Sequence, residues 1–285
     1  LVVTSFYPMY IAALNVTDHV EGIRLQNLSE PKTGCLHDYQ LTPEDMILLS
    51  EADVFIINGG GIEEFISDIA SEYPDLYIID ASAGIELLSE EEEHEHEHEH
   101  EDEEEHHHDH GVNSHIWMSV PRYRQQVKNI TEGIEKVLPE AAAGLRENEK
   151  EYDEKLEELQ AMEEEMKEIY GGTEAVIFHE AYEYLLNDLS MDTVYCMDLD
   201  EERQVSAGEV AEVVNEMQEH NVHLIFAEET YGKDMGEVIG KETGAGVYYL
   251  NTLVRSEKGY DKDSYIEGMS SNLTIIKNAL CTPEE

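Results

Sequence analysis

The sequence predicts an α/β protein of two lobes, each a roughly four-stranded parallel sheet flanked by helices, joined by a long connecting helix. Three observations predict it. Apolar strand-like runs alternate with helix patterns from Val2 to Asp80. The same alternation resumes at Ala175. Between the two series, Pro121 to Tyr170 carries no strand signal and is rich in Glu, Lys, Leu, Met and Ala, all good helix formers.

In chain order, Val2 to Ser5 reads as a strand and Met9 to Val16 as a helix. Gly22 to Leu28 is a strand and Pro43 to Ser50 a helix. That helix has a clear start, with Thr42 as N-cap, Pro43 at the first helical position and Asp45 at the third. Asp53 to Asn58 is a strand, Ile62 to Ser71 a helix and Leu76 to Asp80 a strand. Strands separated by helices imply parallel pairing with helical crossovers. In the middle segment, apolar residues recur at Ile130, Ile134, Val137 and Leu138, then at Leu156, Leu159, Met162, Met166 and Ile169. That spacing suits an amphipathic helix, with a kink at Pro139 and an end at Gly171-Gly172. Beyond it, Ala175 to Phe178, Thr193 to Met197, Val222 to Ala227 and Gly246 to Leu250 are strands. Ala181 to Leu189, Ser206 to Glu219, Gly232 to Thr243 and Lys262 to Leu280 are helices. The domain reading is a first lobe over 1–120, a connecting helical segment over 121–170 and a second lobe over 171–285.

The 285 residues include 66 acidic and only 17 basic side chains, a net charge of -49. Phosphate binding needs Lys and Arg, so nucleic acid is excluded as a partner. An anionic membrane surface is disfavoured for the same reason. Hydrophobic residues reach 41%, enough to build a core. No 18-residue apolar stretch occurs. Cys35, Cys196 and Cys281 are too few and too scattered for a disulfide framework. The chain opens on a strand-like run with neither an initiator Met nor a charged leader, which reads as a mature or trimmed chain. No GxGxxG follows the first strand and no GxxxxGK[ST] occurs, so nucleotide hydrolysis has no support. Gly59-Gly60-Gly61 reads as a tight βα turn, with an anion cradle as the second reading.

Residues 90–110 are 21 consecutive acidic or histidine positions. Eight are His94, His96, His98, His100, His106, His107, His108 and His110, and the other 13 are Asp or Glu. None can join a core, so the run reads as a solvated, disordered loop. Imidazole is the commonest side-chain ligand for zinc, copper and nickel. The run therefore reads as a collector of several ions, each bound weakly because ordering the chain costs about 1–2 kcal/mol per residue. The bland alternative is an acidic spacer. Without its 13 acidic residues the remainder still carries -36.

Outside the run, His19, His220 and His223 sit in polar or helix-end contexts and read as ordinary surface residues. Three others are placed differently. His37 lies in a loop after the second strand, and His179 directly follows the strand Ala175 to Phe178. His115 lies between the acidic run and the connecting segment. Ligands of open α/β sheets bind beyond the carboxyl ends of strands. Three imidazoles, one at a strand end of each lobe and one near the junction, point to one metal site.

The motifs around these histidines resemble the cluster A-I family of metal-binding proteins from ABC importers, most closely its zinc branch. Thr4-Ser5-Phe6-Tyr7-Pro8-Met9-Tyr10 is similar to that family's first strand and turn. His37-Asp38-Tyr39 with Thr42-Pro43-Glu44-Asp45 resembles its first ligand motif, and Asn58-Gly59-Gly60-Gly61-Ile62-Glu63 its Asn-Gly segment. Ser114-His115-Ile116-Trp117 resembles the second ligand motif, with Ser114 in place of the usual Pro. Phe178-His179-Glu180-Ala181-Tyr182-Glu183-Tyr184 resembles the third, and Phe226-Ala227-Glu228 a strand end of the second lobe. The acidic histidine loop before the second ligand is typical of zinc members. The likeness covers essentially the whole chain.

The resemblance implies an extracytoplasmic, non-enzymatic protein, lipid-anchored at the cell surface or periplasmic. It would capture Zn2+ between its lobes and deliver it, as a monomer, to an ABC importer permease. His37, His115 and His179 are the implied ligands. The family's carboxylate near the last strand corresponds here to Asn251, a poor zinc ligand, so water or Glu228 is left for the fourth position. Cys35 is a lesser candidate. Three neutral imidazoles favour zinc over manganese, which prefers carboxylate oxygen. Two alternatives stand beside this reading. One is a zinc hydrolase with Glu228 as general base. The other is a surface metal buffer or adhesin without transport.

Overall fold

The computed structural model describes residues 1–30, 36, 39–89, 111–199, 205–256, 259 and 261–281. His37, Cys35 and the acidic histidine run lie outside the described residues. Eight described strands form two four-stranded sheets. The first contains β1 (Val2–Thr4), β2 (Leu25–Asn27), β3 (Val54–Ile57) and β4 (Tyr77–Asp80), in the order β2-β1-β3-β4. The second contains β5 (Glu174–Ile177), β6 (Asp192–Cys196), β7 (Leu224–Ala227) and β8 (Gly246–Tyr249), in the order β6-β5-β7-β8. Every pairing within both sheets is parallel. The two lobes thus repeat one topology, and in both the chain order reverses at the first strand.

The central strands explain the pattern that predicted them. Every residue of β1 and β3 is buried, as expected when helices cover both faces of a parallel sheet. The first-lobe helices are α1 (Tyr7–Val16), α2 (Pro43–Ser50) and α3 (Ile66–Glu72). At α2 the Thr42 hydroxyl accepts the Asp45 amide while the Asp45 carboxylate accepts the Thr42 amide, a reciprocal capping box. α3 begins four residues later than the pattern predicts. Gly59, Gly60 and Gly61 all have φ between +65° and +94°, and this left-handed run delays the helix.

The connecting segment is two helices, α4 (Val120–Val137) and α5 (Ala142–Tyr170), separated by a 3-10 turn at Pro139–Ala141. Pro139 cannot donate the amide that an uninterrupted helix needs there. α4 packs on α1 and β4 of the first lobe, whereas α5 touches α1, α4, α6 and α9 and so spans both lobes. The second-lobe helices are α6 (Tyr182–Asp188), α7 (Ala207–Glu219), α8 (Glu229–Thr243) and α9 (Ser264–Cys281). Ser206 and Glu209 cap α7 reciprocally, and Gly244 ends α8 in the left-handed conformation.

One hydrophobic core runs through both lobes, from Phe6, Ile56 and Ile79 to Phe226, Leu250 and Tyr265. Trp117 stands at its crossing point, fully buried, with its ring edge-on to Phe6 at 5.0 Å. Its Nε1 donates to the Thr252 carbonyl at 2.8 Å and its carbonyl accepts the Tyr265 hydroxyl at 2.7 Å. Tyr265 stacks on Tyr123 of α4 at 3.8 Å. These contacts tie the segment before α4 to the segment after β8, so the lobes share one packed interior. Among the described residues no helix is long and apolar enough to cross a membrane.

Candidate metal-binding cleft

His179 lies two residues beyond the end of β5, in contact with His115. His115 enters from the other side, immediately before the 3-10 turn Ile116–Met118 that leads into α4. The backbone upstream of His115 is firmly held. Val112 bridges Ser89, the Asn113 amide donates to the Leu88 carbonyl, and the Tyr184 hydroxyl of α6 donates to the Asn113 carbonyl at 2.7 Å. The two imidazoles meet edge to face, with ring centroids 5.0 Å apart and planes at 90°. Both are buried, at 0% and 1% exposure.

Their hydrogen bonds set opposite tautomers. His115 Nδ1 lies 3.1 Å from Asn113 Oδ1 and 3.1 Å from Glu180 Oε1, both acceptors, so it carries a proton. In the neutral ring the lone pair then falls on Nε2, the nitrogen a metal takes when a carboxylate holds the other side. His179 Nδ1 instead accepts the Ala181 amide at 3.1 Å, which places the proton of its neutral ring on Nε2. Coordination through Nε2 of His179 therefore requires a proton exchange or a turn of the ring.

Of the predicted ligands, His115 and His179 are brought together, and His37 lies outside the described residues. The eight histidines of the acidic run lie outside them as well. Glu228 ends β7 and is the N-cap residue of α8, mostly buried, with Oε1 3.5 Å from Arg255 Nη2. Among the described residues no three His, Cys, Asp or Glu side chains converge as a metal-holding group. Asn251 turns its side-chain oxygen to the Leu253 amide at 2.7 Å, so its amide serves its own loop. Cys196 and Cys281 are free thiols, and burial pushes that of Cys196 well up. His19 is exposed, and His220 lies near Glu174 and Glu216.

Two supporting residues escape the sequence reading. Glu180 follows a candidate ligand yet reaches the other lobe's histidine. Asn113 accepts both the amide and Nδ1 of His115 while donating to the Glu180 carbonyl and the Glu183 carboxylate. An acidic residue directly after a candidate ligand was the available signal, but nothing in the sequence gives its direction.

Two lobes of one topology, backed by a long helix and closing on buried imidazoles, define a two-lobed substrate-binding protein. The model of the family described as zinc-uptake complex component A, periplasmic, matches residues 2–279. The high-affinity zinc uptake system protein ZnuA of Bacillus subtilis is 31% identical over 98% of this chain and 87% of its own length. The solved structure of the substrate-binding protein FpvC of P. aeruginosa with Ni2+ matches with a TM-score of 0.81 at 22% identity, over 100% of this chain and 98% of that one. The metal-dependent lipoprotein YcdH of Bacillus subtilis matches with a TM-score of 0.77 at 27% identity, over 97% of each chain. The chain belongs to the ZnuA family of zinc-uptake binding components.

Proposed function

We propose that this protein captures Zn2+ in the cleft between its lobes, outside the cytoplasm, and hands it to the permease of an ABC importer. His37, His115 and His179 are the proposed ligands, with water or Glu228 in the fourth position. The observation that carries the reading is the pair of buried imidazoles in contact at 5.0 Å, one with its Nδ1 held by a carboxylate. Nitrogen ligands of this kind suit zinc, and a bound carboxylate partner orients the ring and raises its basicity. Family membership supports the transport step and the extracytoplasmic location. Glu228 is paired with Arg255, its Oε1 3.5 Å from Nη2, so a place beside the ion would share that contact. The protein acts as a monomer without nucleic acid, and the acidic histidine run adds weak, separate zinc sites. Selectivity is a matter for the ligand set, since a relative in Yersinia pestis is named as iron-binding and one in Halalkalibacterium halodurans as manganese-binding.

Crystals grown with zinc and measured at the zinc edge test this reading. One anomalous peak should lie about 2.0–2.1 Å from a ring nitrogen of each of the three histidines. The absence of a peak at His115 and His179 in crystals that bind zinc would overturn the assignment. Competition with manganese should leave zinc bound, and equal affinity would mean that an acidic ligand belongs to the site.

A further inference from the structure

A buried carboxylate behind the cleft has no part in the ligand set. Glu63 follows the three-glycine turn after β3 and is 2% exposed. Its Oε1 accepts the Ser5 hydroxyl at 2.7 Å and the Asn58 amide at 2.8 Å, and its Oε2 accepts the Gly59 amide at 3.1 Å. The carboxylate thereby joins the ends of β1 and β3 and gathers the turn around itself. Gly59 admits no side chain, because a Cβ there would lie 2.1 Å from Asp80 Oδ1.

Asn58, fixed by that bond, faces the cleft side. Its Nδ2 donates to the Ser114 carbonyl at 2.9 Å and its Oδ1 accepts from Gln126 of α4 at 2.9 Å. Ser114 is the residue before His115. The backbone of His115 is therefore anchored from the first lobe by a relay from Glu63 through Asn58 to Ser114. Its ring is anchored from the second lobe by Glu180.

We propose that Glu63 is a positioning residue for metal capture, which orients His115 through Asn58 and Ser114 without touching the ion. The proposal rests on the capture reading above. It goes beyond it by assigning a function to a residue outside the ligands and their direct partners. Burial pushes the Glu63 carboxyl up to about 7, while the Ser5 hydroxyl and the Asn58 and Gly59 amides pull it down. β1 presents Ser5 and the end of β3 presents backbone amides. Burial and these hydrogen bonds are the largest influences on the carboxyl. Protonation of Glu63 turns one acceptor position into a donor and so weakens its hold on the two backbone amides and the Ser5 hydroxyl.

The test compares the full chain with Glu63→Gln, Asn58→Ala and His115→Ala, by competition with a chromophoric zinc chelator. Circular dichroism and thermal melting run alongside. Glu63→Gln and Asn58→Ala should each weaken zinc by about 10–100-fold, the usual effect of losing a partner behind a ligand. The wild-type advantage over Glu63→Gln should shrink as pH falls from about 8 to about 6, because protonated Glu63 resembles Gln. A role limited to holding the fold would instead show as a lowered melting temperature with zinc affinity unchanged in the folded variant. The absorption spectrum of the Co2+-loaded protein should differ between wild type and both variants at pH 8. Zinc affinity equal to wild type in a folded Glu63→Gln overturns the proposal. Should that variant fail to fold, wild-type affinity in Asn58→Ala overturns it instead, since that change cuts the relay and leaves the carboxylate in place. His115→Ala separates the two readings. Tight zinc binding retained there overturns capture itself, whereas loss there with unchanged Glu63→Gln and Asn58→Ala overturns only the relay.

Discussion

On the first-lobe side of the cleft, His115 is held at three points. Asn113 takes its amide, Asn58 takes the carbonyl before it, and Glu180 reaches across to its ring. On the second-lobe side, His179 is held by its strand and by a turn of its own making, the Ala181 amide on Nδ1. The two lobes share a topology, yet a carboxylate from the opposite lobe reaches His115 Nδ1, whereas the amide on His179 Nδ1 comes from two residues along the same turn. The difference teaches that a displacement of one lobe would strain the Glu180–His115 contact, while the Ala181 amide would move together with His179. The continuous core and the Trp117–Thr252 bond oppose such a displacement. Capture by a nearly fixed cleft needs little ordering on binding, which favours tight association.

The largest effect should come from the rings themselves. His115→Ala and His179→Ala should each weaken zinc by more than about 100-fold, beyond the range for supporting residues, as read by competition titration. Comparable loss in both variants would place the rings as equal partners despite their unequal support. A smaller loss for His179→Ala would rank the cross-lobe ring first.

Next comes the bond that makes the two sides unequal. Glu180→Ala should cost about 10–100-fold in zinc affinity, because His115 loses the acceptor that fixes its tautomer. Wild-type affinity in this variant would show that Asn113 alone sets the ring.

A third prediction concerns the joint between the lobes. Glu163 of α5 is 2% exposed, neither of its carboxylate oxygens has a hydrogen-bond partner among the described residues, and burial followed by repulsion from Asp188 pushes its pKa to about 9. The folded state holds this proton more tightly than the unfolded state. Stability at this position is therefore fully present below about 4.5 and is lost as pH rises toward 9. The slope is at most about 1.4 kcal/mol per pH unit. Glu163→Gln should flatten that decline in denaturant titrations and leave zinc affinity unchanged. An identical decline in wild type and variant would refute the assignment.

The smallest effect on the tight site should follow removal of residues 90–110. Calorimetry should show the weak sites gone and one tight site retained. If the tight site vanished from a folded deletion variant, the acidic run would be the principal site and the cleft assignment would fail.

Periodicity and punctuation carried most of the fold into the sequence. The eight strands follow the apolar runs, and α2 begins at Pro43 because Thr42, Pro43 and Asp45 form a complete start signal. The failures are local and physical. β2 was expected over Gly22 to Leu28 but pairs only over Leu25–Asn27, because an edge strand has one neighbour to extend it. Ile62 opens an apolar pattern, but the chain around it first wraps the Glu63 carboxylate, and α3 starts at Ile66. Positions of His115 and His179 were readable from strand ends and motifs. The partners of His115 were not. Glu180 is 65 positions from it, and only the packing of α6 against the Asn113 segment aims that carboxylate across the cleft.

The chain has a single tryptophan, and Trp117 lies with its ring centroid 5.1 Å from that of His115. An indole's emission responds to charge and polarity at that range. The protein thus contains its own optical probe beside a proposed ligand, shielded from solvent. Zinc bound to His115 as proposed would place a divalent charge next to the fluorophore. Loading and release become observable by intrinsic fluorescence in unlabelled protein, one signal from one residue. Phe6, edge-on to the indole, and the Thr252 carbonyl, which accepts from its Nε1, hold the ring in place and keep its rotation from blurring the signal.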